Sequence, residues 1–307
     1  MVVSTGGHLK QLHRLRTRLE GLDRDALWVT FDSPQSRSLL DGEQVVFARY
    51  TGSRDPANVA RNALLAERVL RSRSFTAVVS TGSAVALSFL PLARARGIPS
   101  HFIESAARSA GPSLTGRLIC RVPGIKLYSQ YPGWAKGRWR YAGSVFDAFG
   151  PASRAASRPI RRVVVTLGTM EHGFRRLVEA LAPLLPPEAE VLWQTGATDV
   201  AGLGVRAVPS LPAHELEEAM READVVVAHA GTGAALSAFE AGRAPLLVPR
   251  RAALGEHTDN HQLEVAAELG RRGLAVWREA DELRPDDLER VAGLAVEERP
   301  DVPAFRL

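Results

Sequence analysis

The apolar positions of this chain cluster in short runs, edged by a few polar residues, at 27–31, 76–80, 100–103 and 126–128. They do so again at 162–167, 190–194, 205–208, 224–228 and 246–248. Between the runs the period lengthens to that of a helix, as at Leu9, Leu12, Leu15 and Leu19, which fall on one face. Continuous apolar strands alternating with helices predict parallel sheets buried on both sides. The pattern stops once, from Phe149 to Pro159, where Pro, Ser and Ala dominate without periodicity. That stretch predicts a linker over 149–160, between an N-terminal domain over 1–148 and a C-terminal domain over 161–307. The expected architecture is α/β: two doubly wound, Rossmann-like domains facing each other across a cleft, with ligands at the carboxyl ends of the strands.

Chemistry concentrates after Asp224. The run 225–228 leads into His229-Ala-Gly-Thr-Gly233, and a helix opens at once. Glycines at 231 and 233 let backbone N–H groups approach a ligand, and the positive end of the helix points at the same place, which suits a diphosphate. The run 246–248 follows, then Pro249-Arg250-Arg251 and the polar cluster Gly255-Glu-His-Thr-Asp-Asn-His-Gln262, where sugar hydroxyls could be read. A single Gly-rich turn is a weak signal; turn, helix, strand and polar cluster in this order are more specific.

This half resembles the donor-binding half of the MurG-like nucleotide-sugar glycosyltransferases of family 28. Its pattern of strand, HAG-T/A-G, helix, Pro-Arg and GEH-x-D-x-HQ is met residue for residue. The resemblance extends back to Val163-Val-Val-Thr-Leu-Gly-Thr169, Phe174, Arg176 and Trp193-Gln-Thr-Gly196. The N-terminal half resembles the acceptor and membrane-anchor subunit of the two-subunit dolichol-pathway enzyme of the same type. The matching pieces are Ser4-Thr-Gly-Gly-His-Leu9, Ser80-Thr-Gly-Ser83, Phe102-Ile-Glu-Ser105 with Arg108, Leu114-Thr-Gly-Arg117, Tyr128-Ser-Gln130 and Tyr141-Ala-Gly143. The resemblance implies the GT-B fold and an inverting, metal-independent hexosyltransferase that moves a sugar from a UDP-sugar to a hydroxyl. N-acetylglucosamine is the sugar it favours, and a polyprenyl-linked or natural-product molecule the acceptor.

On that reading each candidate has a role. Gly6 and Gly7 form a loop near the diphosphate or the acceptor, and His8, opening the next helix, is the candidate general base, with Glu104 the other catalytic candidate. Glu104 could equally pair with Arg108 across one helical turn or touch the acceptor, and Arg108 is itself a candidate acceptor contact. Gly168 and Thr169 offer backbone amides to the donor, as do Ala230, Gly231, Thr232 and Gly233, while His229 orients the loop or meets the phosphates. The family often places a Glu one turn into this helix to hold the ribose; here that position is Ser237, a departure, with Glu240 on the same face as its substitute. Arg250 could clamp phosphate, and Asp259, Asn260, His261 and Gln262 would bind the transferred sugar. His257 and His261 stand four apart, a spacing that could present two imidazoles to a metal, but no third ligand is evident in the sequence and no metal is expected. The segment 131–141, with Trp134 and Trp139 among Lys and Arg, suits an acceptor or membrane headgroup contact.

Composition narrows the alternatives. With 307 residues, 45% hydrophobic and 24% charged, the chain is globular and long enough for two cores. One cysteine, Cys120, permits no internal disulfide, which fits a reducing cytoplasm, and it reads as a packed residue. No run is long enough to span a bilayer and no signal peptide is present, so the expected place is cytoplasmic, with peripheral contact at the inner face of the membrane. The net charge of +5 suits phosphorylated ligands or an anionic surface. No nucleic-acid module or basic stripe appears, and no cofactor is expected beyond the UDP-sugar substrate. A UDP-sugar epimerase of the same fold and a non-catalytic sugar-nucleotide-binding subunit fit the donor half as well. A dinucleotide oxidoreductase does not, because no G-x-G-x-x-G opens the first strand–helix unit.

Overall fold

The apolar runs form parallel strands, fully buried at 78–80, 100–103, 225–229 and 246–248 and only partly buried at 191–192 and 207–208, toward the edge of their sheet. The computed structural model describes residues 1–21, 25–52, 55–154, 159–168 and 171–307. The chain divides into two compact units, Met1–Val145 with Asp301–Leu307, and Phe146–Pro300.

In the first unit the strands are β1 (Leu27–Phe31), β2 (Gln44–Ala48), β3 (Val78–Ser80), β4 (Ser100–Ile103), β5 (Lys126–Ser129) and β6 (Trp139–Tyr141). β1 pairs with β2, and β3 to β6 pair in sequence, all parallel. The two sheets are joined by Val2 and Val3. The Val2 N–H donates to the Val79 carbonyl at 2.9 Å and the Val3 N–H to the Val29 carbonyl at 2.9 Å. The first two valines thus act as the central strand. The helices are α1 (Gly7–Arg16), α2 (Pro34–Leu39), α3 (Pro56–Ser72), α4 (Val85–Ala95) and α5 (Leu114–Ile119). No side chain caps the start of α1. Its stability comes from Leu9, Leu12 and Leu15, each wholly buried, at about 1.5–3 kcal/mol per leucine.

The second unit opens with β7 (Phe149–Ser153), which pairs antiparallel with β14 (Leu294–Glu298). The expected linker therefore begins as a strand, and residues 155–158 lie outside the described ones. The main sheet comprises β8 (Arg162–Thr166), β9 (Glu190–Gln194), β10 (Ala207–Val208), β11 (Val225–His229), β12 (Leu246–Val248) and β13 (Val276–Trp277). Its order is β10-β9-β8-β11-β12-β13, all parallel. Helices α6 (Arg175–Leu181), α7 (Ala213–Glu222), α8 (Thr232–Glu240), α9 (His261–Arg271) and α10 (Pro285–Ala292) complete it. This is the doubly wound dinucleotide-type order, and it reverses between β8 and β11, where such sheets bind ligands beyond their carboxyl ends.

Candidate active site

At that reversal the chain brings together Thr166, Leu167 and Gly168 after β8 and His229, Ala230 and Gly231 after β11. The His229 ring fills the space between the two loops. Its Nδ1 lies 3.4 Å from the Thr166 carbonyl, which can only accept, so Nδ1 carries the proton. A methyl group at Gly168 would sit 2.6 Å from the ring Cε1, and one at Gly231 2.2 Å from Nε2. Both glycines are required by the imidazole itself, and Gly168 also by its φ of 73°. Burial holds the His229 pKa down at about 3, with the charge of Arg250 acting in the same direction. The ring is thus neutral and serves to orient the loop. Thr232 begins α8 and is buried. The Ala235 N–H closes the first helical bond, to the Gly231 carbonyl at 3.0 Å. The N–H groups of Thr232, Gly233 and Ala234 precede it and are the ones a helix offers to an anion. Ser237 and Glu240 lie on the half-buried side of α8, three residues apart. Thr169 lies outside the described residues.

Arg250 departs from its expected role. Its side chain is 1% exposed. Nη2 donates to the Leu167 carbonyl at 2.7 Å, and Nη1 to the carbonyls of His172, Gly173 (3.0 Å) and Glu256 (3.2 Å). The guanidinium stacks over Phe174 with its carbon 5.1 Å from the ring centre. Burial lowers its pKa only to about 10, so it stays charged at neutral pH. It is a pin that ties three backbone segments together, not a phosphate clamp, because its terminal nitrogens are spent on carbonyls.

The loop after β12 is held from both ends. Glu256 accepts from Arg176 Nε and Nη2, both at 2.9 Å, and from the Arg251 N–H at 2.8 Å. Asn260 Oδ1 accepts from the Ala252 N–H at 3.0 Å, and Gln262 Oε1 from the Arg250 N–H at 3.0 Å. Gly255 turns the chain at φ 71°. Asn260 and Gln262 therefore fix the backbone, and Gln262 is wholly buried. Asp259 and His261 remain half-buried, joined by a short hydrogen bond between Oδ1 and Nδ1. α9 begins only at His261. The spacing of His257 and His261 is thus that of a turn, and the turn sets Asp259 between them, a third metal-ligand type that the sequence did not make evident. The Arg176–Glu256 pair was also missed as a pair: both residues sit inside recognised motifs, but nothing local marks them as partners.

In the first unit the corresponding reversal lies between Val2–Val3 and β3. Gly6 ends the loop at φ 77°, with its N–H donating to Gln35 Oε1 at 2.7 Å. Gly7 and His8 open α1. His8 Nδ1 lies 2.9 Å from the Thr81 carbonyl, and the Thr81 hydroxyl donates to the His8 carbonyl at 2.9 Å. This fixes the proton on Nδ1 and makes Nε2 the lone-pair nitrogen of the neutral ring. Glu104 is a correction. It is 1% exposed and accepts from the Ser113 N–H (2.9 Å), the Ser113 hydroxyl (3.0 Å) and the Ser105 N–H (3.1 Å). Burial raises its pKa, opposed by these bonds and by the charge of Arg108. A methyl at Gly116 would lie 2.2 Å from its Oε2. The carboxylate anchors the start of α5 and is sealed from a substrate. Trp134 is a second correction. It and Trp139 are each 9% exposed and pack edge to face at 5.1 Å, and Trp134 Nε1 donates to the Arg108 carbonyl at 3.0 Å. Both indoles belong to the core, and of that segment only Tyr141 is a large exposed apolar residue. Cys120 packs at the edge of the same core.

Residues 162–300 match the glycosyltransferase family 28 C-terminal domain. Over 90% of this chain and 83% of the relative, the sequence is 26% identical to a UDP-N-acetylglucosamine–N-acetylmuramyl-(pentapeptide) pyrophosphoryl-undecaprenol N-acetylglucosamine transferase of Alcanivorax borkumensis. Among solved structures, MurG of Acinetobacter baumannii superposes with a TM-score of 0.57 at 19% identity, covering 94% of this chain and 88% of that one. The glycosyltransferase SnogD of Streptomyces nogalater gives 0.59 at 20% identity, covering 95% and 88%. The two Rossmann-like units and these neighbours show the GT-B fold, and the family 28 domain with the Alcanivorax relative marks the chain as a UDP-sugar-dependent glycosyltransferase. Within that fold, residues 162–300 carry the family 28 C-terminal domain, and the chain as a whole is similar to the MurG-type transferases. Among the described residues no helix is long and apolar enough to cross a membrane.

Proposed function

We propose that the protein transfers N-acetylglucosamine from UDP-N-acetylglucosamine to a hydroxyl of a lipid-linked acceptor, with inversion and without a divalent metal or other cofactor. The observation that carries this reading is the cradle at the β8/β11 reversal, where His229 locks two glycine turns against the start of α8. The relative of Alcanivorax supports the choice of sugar and acceptor class. The leaving UDP is stabilised by the first N–H groups of α8, which act as fixed dipoles where a cation would otherwise be needed. Ala230, Gly231, Thr232 and Gly233 surround the diphosphate, and Ser237 with Glu240 meets the ribose. Asp259 and His261 read the sugar hydroxyls.

The acceptor belongs to the first unit. His8 Nε2 takes the proton of the acceptor hydroxyl, whose oxygen forms the new bond to the anomeric carbon as the bond to the UDP oxygen breaks. The Thr81 carbonyl keeps the ring in the tautomer that can do this. Such an enzyme works at the cytoplasmic face of the membrane through peripheral contact. The test is calorimetry of UDP and UDP-N-acetylglucosamine, followed by turnover in excess EDTA. Binding with turnover that survives chelation is expected, and absence of UDP binding to the folded protein overturns the reading. Incubation with the UDP-sugar alone should yield no epimer.

A further inference from the structure

Three potential ligand groups converge in the turn before α9 and are not all used by the proposed chemistry. His257, Asp259 and His261 each offer one ligand atom, and these atoms lie within 4.8 Å of one another. The imidazoles of His257 and His261 meet edge to face, with ring centres 4.5 Å apart, and Asp259 Oδ1 lies 3.5 Å from His257 Nδ1. The Asp259 N–H donates to His257 Nδ1 at 3.2 Å, which requires an unprotonated nitrogen there. A further observation points to the same place. His172 stacks on His257 at 6.3 Å, and its Nδ1 is buried without a hydrogen-bond partner.

The turn is also rigid before any ligand arrives. Glu256 is clamped by Arg176, Asn260 by the Ala252 N–H and Gln262 by the Arg250 N–H. Preorganisation of this kind lowers the cost of assembling a site. Two imidazoles and a carboxylate form the donor set of zinc and its transition-metal neighbours, whereas magnesium and calcium prefer oxygen alone.

We propose that His257, Asp259 and His261 form a binding site for a divalent transition-metal ion of the zinc class, and that the filled site excludes the donor sugar. The second half of this statement rests on the reading that Asp259 and His261 bind the sugar; the first half does not. The ion would take the place of the hydrogen between His261 Nδ1 and Asp259 Oδ1, with the neutral ring carrying its proton on Nε2 instead. It would be an inhibitor and not a cofactor, since it occupies the groups that turnover needs.

Cobalt(II) titration of the full chain, without substrate, tests the site directly. A visible d–d band of tetrahedral intensity should appear at one equivalent, be displaced by zinc and be unaffected by millimolar magnesium. Asp259→Asn and His261→Gln, each checked for native circular dichroism, should weaken cobalt affinity at least tenfold. No band, or a band unchanged in both folded variants, overturns the site. Zinc should also raise the Kd for UDP-N-acetylglucosamine at least tenfold while leaving that for UDP little changed. Cobalt binding with unaltered UDP-sugar affinity would overturn the exclusion and leave the site standing. Failure of UDP itself to bind would instead count against the proposed function.

Discussion

The two units solve the same local problem with one device used in two ways. In each, a histidine at the sheet reversal donates Nδ1–H to a backbone carbonyl of the neighbouring loop: His8 to Thr81 at 2.9 Å, and His229 to Thr166 at 3.4 Å. His229 hangs from the end of a strand and is sealed between Gly168 and Gly231, 8% exposed. His8 stands on the first turn of a helix and is half-buried, beside Gly82, where a methyl group would lie 3.0 Å from its ring Cε1. The bond is shared, and what differs is where the second nitrogen ends up. A sealed imidazole can only shape a loop, while a half-open one can exchange a proton with a ligand.

The largest effect that tests this contrast is on rate. His8→Ala should lower turnover by about 10²–10⁴-fold with the UDP-sugar Kd unchanged, as removal of a general base does. Near wild-type turnover in a folded variant would place both histidines in the same structural role. The converse substitution acts on stability. Gly231→Ala drives a methyl to 2.2 Å from His229 Nε2, and overpacking of this kind costs about 1–3 kcal/mol. Urea titration should show that loss together with weakened UDP binding. The double variant Gly231→Ala/His229→Ala should recover part of it, because the two residues share one contact.

Acid sharpens the comparison further. His229 and His257 have folded pKa values of about 3 and about 4, below the ordinary 6.5. The unfolded chain therefore binds protons at these sites before the folded one does. The contribution of these two rings should be constant above pH 6.5 and fall as pH drops toward 4, by about 1 kcal/mol per pH unit for each. That slope adds to those from the buried Met1 amine, held at about 5, and His101, held at about 4. Urea midpoints at pH 7, 6 and 5 should show this slope, and His229→Asn should reduce it; an unchanged slope would mean that the ring is not buried neutral. The smallest effect is expected at Ser237. Its hydroxyl can make one neutral hydrogen bond, so Ser237→Ala should change UDP affinity by only a few-fold, in line with about 0.5–1.5 kcal/mol per bond. A loss of a hundredfold by calorimetry would give Ser237 the weight of the carboxylate that it replaces.

Much of this arrangement is legible in the sequence where the signal is local. The strands at 27–31, 100–103, 190–194 and 246–248 fall where the apolar runs lie, and the leucines of α1 are buried as their spacing predicts. What the sequence hides is non-local. β7 lies in a stretch rich in Pro, Ser and Ala, and becomes a strand only because residues 294–298 pair with it. Arg250 follows a proline in a loop and reads as exposed, yet three backbone segments close over it. Trp134 and Trp139 sit among Lys and Arg and read as amphipathic, yet their indoles turn inward. Glu104 ends an apolar strand as a catalytic carboxylate would, and only the fold brings Ser113 to satisfy it. Charged and aromatic residues in loops are ambiguous because their burial is decided by elements far away in the chain.

The chain leaves the first unit at Val145 and returns to it at Asp301. On its return, Phe305 is fully buried against Tyr128, with ring centres 5.9 Å apart, and its N–H donates to the Arg18 carbonyl at 2.7 Å. During synthesis on the ribosome, the first unit therefore emerges well before one of its own core side chains. It must wait, with Tyr128 uncovered, while about 150 residues of the second unit are made, on the order of ten to thirty seconds at ordinary elongation rates. The second unit suffers no such delay, since all of its strands lie within one continuous segment. The order of maturation is thus the reverse of the order of translation.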